Sequence, residues 1–117
     1  MKIFMVAGEA SGDRLGAALI KGLCLNIPEI EFQGVAGPEM QSHGIKSLFD
    51  MSELSVMGVS EILPKYRGLK RRLSQTVAAV LKFKPDVLIT IDSPDFCLRV
   101  AETVRKSDPL VRTVHYV

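Results

Sequence analysis

An open, doubly wound parallel α/β sheet is the fold class this sequence predicts, and three observations predict it. Two short runs, Ile3-Phe4-Met5-Val6-Ala7 and Val87-Leu88-Ile89-Thr90-Ile91, are continuous and apolar, the mark of strands covered on both faces. Each passes into a loop rich in small and acidic residues: Gly8-Glu9-Ala10-Ser11-Gly12-Asp13 in one case, Asp92-Ser93-Pro94-Asp95 in the other. Behind the loops, apolar residues recur at helical spacing, as in Leu15, Leu19 and Leu23, so one helix face packs on a sheet.

The elements follow in order. Residues 2–7 form the first strand. A helix leaves the loop at about Arg14, with Ala18 and Ile20 beside its leucine stripe, and Pro28 bars its continuation. Glu31 to Val35 is a second strand, which completes a right-handed βαβ unit. Gly37-Pro38 turns the chain, Glu39 to His43 is a short helix with Gly44 as its C′ residue, and Ile45 to Leu48 is a short strand. Asp50 to Ser55 is a polar loop, and Val56 to Pro64 is apolar but broken by Gly58 and Pro64. Leu69, Leu73, Val77, Val80 and Leu81 then hold a helical period that Pro85 closes. After the Val87–Ile91 strand, Phe96, Val100 and Val104 mark an inward helix face, and Leu110 to Val117 is the last strand. A doubly wound domain does not usually end on a bare strand, so the expectation is a truncated domain with apolar surface left uncovered and self-association of the isolated chain.

Composition narrows the function. The 117 residues suit one small domain. A net charge of +2 argues against nucleic acid as the main partner. Cys24 and Cys97 are too few and too far apart for a disulfide framework or a zinc site, which fits a reducing cytosol. The N-terminal apolar run is too short for a signal peptide, and nothing approaches a transmembrane span. G-x-G-x-x-G and G-K-[ST] are absent, and no His or Cys pair has metal spacing, so neither a cofactor nor a metal is expected.

Candidate chemistry gathers at the carboxyl ends of the strands, where open α/β sheets bind ligands. Gly8 and Gly12 allow positive φ and close approach to a ligand, and Glu9, Ser11 and Asp13 supply polar groups, with Ser11 or Asp13 alternatively serving as an N-cap. Asp95 is placed to cap the helix from Phe96. Asp92 has no such structural task and is the first candidate for a general base. His115 closes the last strand on the same rim, whereas His43 reads as a surface residue. Val56, Met57, Val59, Ile62 and Leu63 precede or mingle with Lys65, Arg67, Lys70, Arg71 and Arg72. That composition suits an interface with acyl chains and anionic headgroups, although charge runs more often form a solvated helix face.

Taken together, several stretches resemble the lipid-A-disaccharide synthases. They are Ala7-Gly8-Glu9-Ala10-Ser11-Gly12-Asp13, Gly34-Val35-Ala36-Gly37-Pro38-Glu39-Met40, Val56-Met57-Gly58 with Glu61-Ile62-Leu63, Lys84-Pro85-Asp86, Ile91-Asp92-Ser93-Pro94-Asp95-Phe96, and His115-Tyr116-Val117. The resemblance implies an inverting glycosyltransferase of the GT-B type, built of two Rossmann-like domains, of which residues 1–117 would be part of the N-terminal, acceptor-side one. It implies UDP-2,3-diacylglucosamine and 2,3-diacylglucosamine 1-phosphate (lipid X) as substrates. It also implies peripheral attachment to the cytoplasmic face of the bacterial inner membrane. Asp92 would be the base, and Gly8 to Asp13 would line the acceptor side. Cys97 stands where the family commonly has asparagine, and the second, UDP-sugar-binding domain is not in the sequence, so the chain alone is expected to be inactive. Three rival readings stand beside this one: another GT-B enzyme such as a sugar-nucleotide epimerase, a non-catalytic lipid-binding module, and a receiver-like signalling domain. The last lacks the acidic cluster expected directly after the first strand.

Overall fold

The structure, a computed structural model, describes residues 1–54 and 63–117, and of residues 63–67 the backbone alone. The strands are β1 (Lys2–Ala7), β2 (Glu31–Val35), β3 (Val87–Ile91) and β4 (Arg112–Tyr116). They form one sheet in the order β2-β1-β3-β4, every pairing parallel. The described helices are α1 (Ala10–Asn26), α2 (Pro38–Gln41), α3 (Leu63–Phe83) and α4 (Pro94–Ser107). The fold is the expected α/β one, consistent with the N-terminal half of a GT-B glycosyltransferase.

Topology assigns the faces. The crossover β1-α1-β2 runs one way along the sheet and β3-α4-β4 runs the other. Right-handed crossovers in opposite directions lie on opposite faces. Ile91 accordingly abuts Gly12 and Gly16 of α1, while Phe4, one pleat out of phase, meets Phe83 of α3 with ring centroids 6.3 Å apart. The two central strands are therefore buried on both sides, and Met5, Val6, Ala7, Leu88 and Ile91 have no exposed surface.

Several boundaries differ from the sequence reading. Helix α1 begins at Ala10, a turn earlier than Arg14, because extended Glu9 (φ −145°) serves as N-cap through its backbone alone. Residues 10–13 face the rim and the loops, so they lack the apolar period that marks the rest of the helix. Neither Gly8 nor Gly12 has positive φ; among the described glycines only Gly44 does. Gly8 matters for space instead: a Cβ there would strike the Ser93 side chain. Asp95 is not the cap of the last helix. That helix starts at Pro94, which suits the first helical position, and Ser93 is the N-cap residue, with Asp95 in the first turn. The strand expected at 45–48 reduces to one parallel bridge, Gly34 to Ser47.

The described part of the insertion after β2, residues 36–54, is tied to α3 by Arg72. Its guanidinium reaches both oxygens of Glu53, with Nη2–Oε2 at 2.7 Å, donates to Gln75 Oε1 at 2.7 Å, and lies 4.6 Å from the Phe49 ring centroid. A planar fork matched to a carboxylate and stacked on a ring is worth more than an exposed ion pair. Arg72→Ala is expected to lower the unfolding free energy by about 2 kcal/mol in urea titration, whereas Lys70→Ala and Arg71→Ala, both exposed, stay within about 0.5 kcal/mol.

Candidate functional site

The handedness of the crossovers creates the site. Where α1 departs to one side and α4 to the other, the carboxyl ends of β1 and β3 open a crevice at the topological switch point. Gly8 follows β1, Asp92 and Ser93 follow β3, and Gly8 packs on Ser93 across the crevice. Two helix N-termini, those of α1 and α4, meet this rim.

Asp92 is half-buried and left-handed, with φ 48°, and Ser93 beside it has φ 39°. Two consecutive non-glycine residues in that region are held against a cost of about 1 kcal/mol or more each. The Asp92 N–H donates to the Tyr116 carbonyl at 3.0 Å, which ties the turn to β4. The Ser93 side chain makes no capping hydrogen bond. Glu9, Ser11 and Asp95 are exposed on the same rim. His115 lies on the sheet face opposite α1, with Nδ1 2.8 Å from Thr90 Oγ1, while His43 is exposed on the surface.

Asp13 stands apart from its neighbours. It is 2% exposed. Its carboxylate accepts the backbone N–H groups of Gly37 at 3.0 Å, Glu39 at 2.9 Å and Met40 at 2.9 Å. It thus caps α2 from a distance and leaves no face for a ligand. Gly37 is required opposite it, since a Cβ there would come within 2.5 Å of the carboxylate. Sequence reasoning missed this clamp because the partners lie 24 to 27 residues away and form no local motif.

Sequence reasoning also missed a cleft of about 620 Å³ beside the same rim, lined by Ala36, Gly37, Pro38, Gln41, Ser47, Phe49, Asp50, Met51 and Ser52. Ser47 Oγ shapes it, accepting the Ala36 N–H at 2.9 Å and donating to the Phe49 carbonyl at 2.5 Å. Hydrogen bonds from Ser52 hold the Asp50 carboxyl below its usual range. Of the lipid-facing candidates, Val56, Met57, Val59 and Ile62 lie outside the described residues, and Leu63, Lys65 and Arg67 are described by backbone only. Lys70 and Arg71 are exposed, whereas Arg72 is engaged with Glu53. Among the described residues no helix is long and apolar enough to cross a membrane, and no cluster of three metal-ligating side chains occurs.

A parallel sheet with helices on both faces and a half-exposed carboxylate at its switch point is an α/β domain consistent with the N-terminal half of a GT-B glycosyltransferase. Comparison with known sequences narrows the class. The model of the family described as Lipid-A-disaccharide synthetase matches residues 3–117. The lipid-A-disaccharide synthase of Ruegeria pomeroyi is 57% identical over 117 residues, covering 100% of this chain and 29% of that protein. The synthase of Granulibacter bethesdensis is 50% identical over 115 residues (98% and 29%), and that of Pseudomonas aeruginosa (strain LESB58) is 45% identical over 117 residues (100% and 30%). The chain belongs to the lipid-A-disaccharide synthetase family and spans about three-tenths of the length of these relatives.

Two outcomes test this geometry. Asp13→Ala orphans three N–H groups and is expected to cost about 3 kcal/mol by chemical denaturation, with faster amide exchange at Gly37 and Met40, while Ser11→Ala stays within about 0.5 kcal/mol. The two thiols, both free, are expected to separate. Burial, with the Asp92 charge adding to it, pushes the Cys97 thiol from 9.0 up to about 12. Iodoacetamide at pH 8 should therefore alkylate exposed Cys24 and spare Cys97 until denaturant is added. Because the folded value is raised, the stability this group contributes is complete below about pH 9 and is lost as the pH climbs towards 12.

Proposed function

We propose that this chain is the acceptor-side part of a lipid-A-disaccharide synthase, in which Asp92 is the general base. The reaction is inverting transfer of 2,3-diacylglucosamine from UDP to the 6-hydroxyl of 2,3-diacylglucosamine 1-phosphate, giving a β-1,6 disaccharide. The Asp92 carboxylate takes the hydroxyl proton as the oxygen attacks the anomeric carbon. The new C–O bond forms as the bond to UDP breaks, and UDP leaves with the electron pair. The nucleophile is the acceptor's own 6-hydroxyl oxygen, and the base activates it by removing its proton. Exposed Glu9, Ser11 and Asp95 are available to the acceptor's hydroxyl and amide groups.

The single observation that carries the reading is the position of Asp92: half-buried, held in a left-handed turn, and at the carboxyl end of a central strand at the switch point. On the same reading the enzyme works at the cytoplasmic face of the inner membrane, with exposed Lys70 and Arg71 among its headgroup contacts. Exposed Leu110, Val114 and Val117 (89%, 50% and 84%) support self-association of the chain when isolated.

The test is disaccharide formation by the chain itself and by a chimera in which it replaces the segment it matches in the Ruegeria pomeroyi synthase. The chimera is expected to turn over and the isolated chain is not. Asp92→Asn in the chimera should lower kcat by about 10²- to 10⁴-fold with KM little changed. An Asp92→Asn chimera keeping more than a tenth of the parent kcat would remove Asp92 from the role of base.

A further inference from the structure

The cleft beside α2 belongs to none of the groups assigned so far, and its place on the rim gives it a meaning. It opens just past β2, two strands from β3. With neighbouring strands about 4.8 Å apart, it lies roughly 10 Å from the Asp92 turn. Between them Met51 reaches towards Gly37 and Leu54 towards Gly8, so the rim is continuous from cleft to crevice. Its volume, about 620 Å³, is within the ordinary range for small-molecule sites.

The lining chooses among the parts of the acceptor. Pro38, Phe49 and Met51 give apolar walls, and Gln41, Asp50 and Ser52 sit at a polar mouth. The described residues that line it include no Lys or Arg. Asp50, exposed and held below the usual carboxylate range by Ser52, is an anion at neutral pH and repels a phosphate. On the acceptor-side reading, a sugar ring whose 6-hydroxyl sits at Asp92 and which lies along the continuous rim brings its far side several ångströms nearer the cleft. Two kinds of substituent hang there: an anionic phosphate, and acyl groups joined through amide and ester linkages.

We infer that this cleft seats an acyl linkage of the acceptor and the first methylenes beyond it, and excludes the phosphate. Gln41, Asp50 and Ser52 meet the amide N–H and carbonyl, and Pro38, Phe49 and Met51 cover the methylenes. The clamp from Asp13 then has a purpose beyond stability, since it fixes the α2 wall of the cleft relative to α1. The inference rests on the acceptor-side reading above, and it names a separate part of the same molecule as its ligand.

The experiment is amide chemical-shift mapping on the 117-residue chain. It uses three probes: dihexanoylglucosamine 1-phosphate below its micelle concentration, glucosamine 1-phosphate, and inorganic phosphate. The diacyl probe is expected to shift the amides of Gln41, Asp50 and Ser52 and to bind at least tenfold tighter than glucosamine 1-phosphate. Ser52→Trp and Gln41→Trp, both at exposed positions, should each weaken the diacyl probe about tenfold and leave the deacylated one unchanged. Unmoved β1 and β3 amides report that each variant is folded, and Cys24→Ser, at the far end of α1, serves as the neutral control. Equal affinity for the two sugar probes, or the same shifts from inorganic phosphate, would overturn the inference. Shifts confined to residues 8–13 and 92–95 would overturn the cleft while leaving the acceptor side intact. No shifts from any probe would overturn both.

Discussion

A single buried carboxylate holds the functional edge of this domain together. Asp13 lies in the first turn of α1, out of water, and its burial is offset by three backbone N–H groups, that of Gly37 just before α2 and those of Glu39 and Met40 within it. Two of those donors belong to a helix of four residues and the third is its N-cap, and so short a helix does not hold its shape by its own hydrogen bonds. The carboxylate therefore does for α2 what a longer helix would do for itself. From α2 the linkage runs on: Gly37 meets Met51, Phe49 carries the Arg72 guanidinium, and Arg72 grips Glu53 from α3. Loops that follow different strands are thus fixed with respect to one another, as a site assembled from separate loops requires.

Parallel pairing supplies the other half of the arrangement. Because β1 and β3 run the same way and their crossovers diverge, Gly8 and Ser93 become neighbours although they are far apart in the chain. Ser93 illustrates how tightly this is packed. A serine at a helix N-terminus ordinarily turns its hydroxyl back to a free N–H, yet here it makes no such bond and lies against the glycine across the crevice. Asp95, one residue into the helix, complements the positive end of the dipole from the exposed side.

The central strands were legible to the residue, because a strand buried on both faces is a continuous apolar run and nothing else in so short a span looks like it. The helix interiors were legible from their apolar period. The helix starts were not, for one shared reason: Glu9 and Ser93 cap through backbone conformation, while a sequence reader looks for a capping side chain at Ser11, Asp13 or Asp95. Asp92 stood out by elimination, being polar, next to a central strand and without a structural task. Within 36–54 the turn at Gly37-Pro38, the short helix and Gly44 after it were legible, but the anchoring of the region was not. Its order comes from Ser47, Asp13 and Arg72 reaching across 11 to 27 residues, and no local pattern encodes such bonds.

The left-handed turn at Asp92 also governs which residues can occupy the site at all. Among side chains other than glycine, aspartate and asparagine are those most at ease at positive φ, because a short polar group can bond to the local backbone. Glutamate, with the same acid but a longer stem, has no such advantage. The backbone thus discriminates between two carboxylic acids of nearly equal strength before any chemistry is asked of them. It also makes asparagine the substitution that removes the charge while keeping the turn. On the proposed reading, the acid at this position is selected twice over, once by the proton it would take and once by the conformation in which it stands.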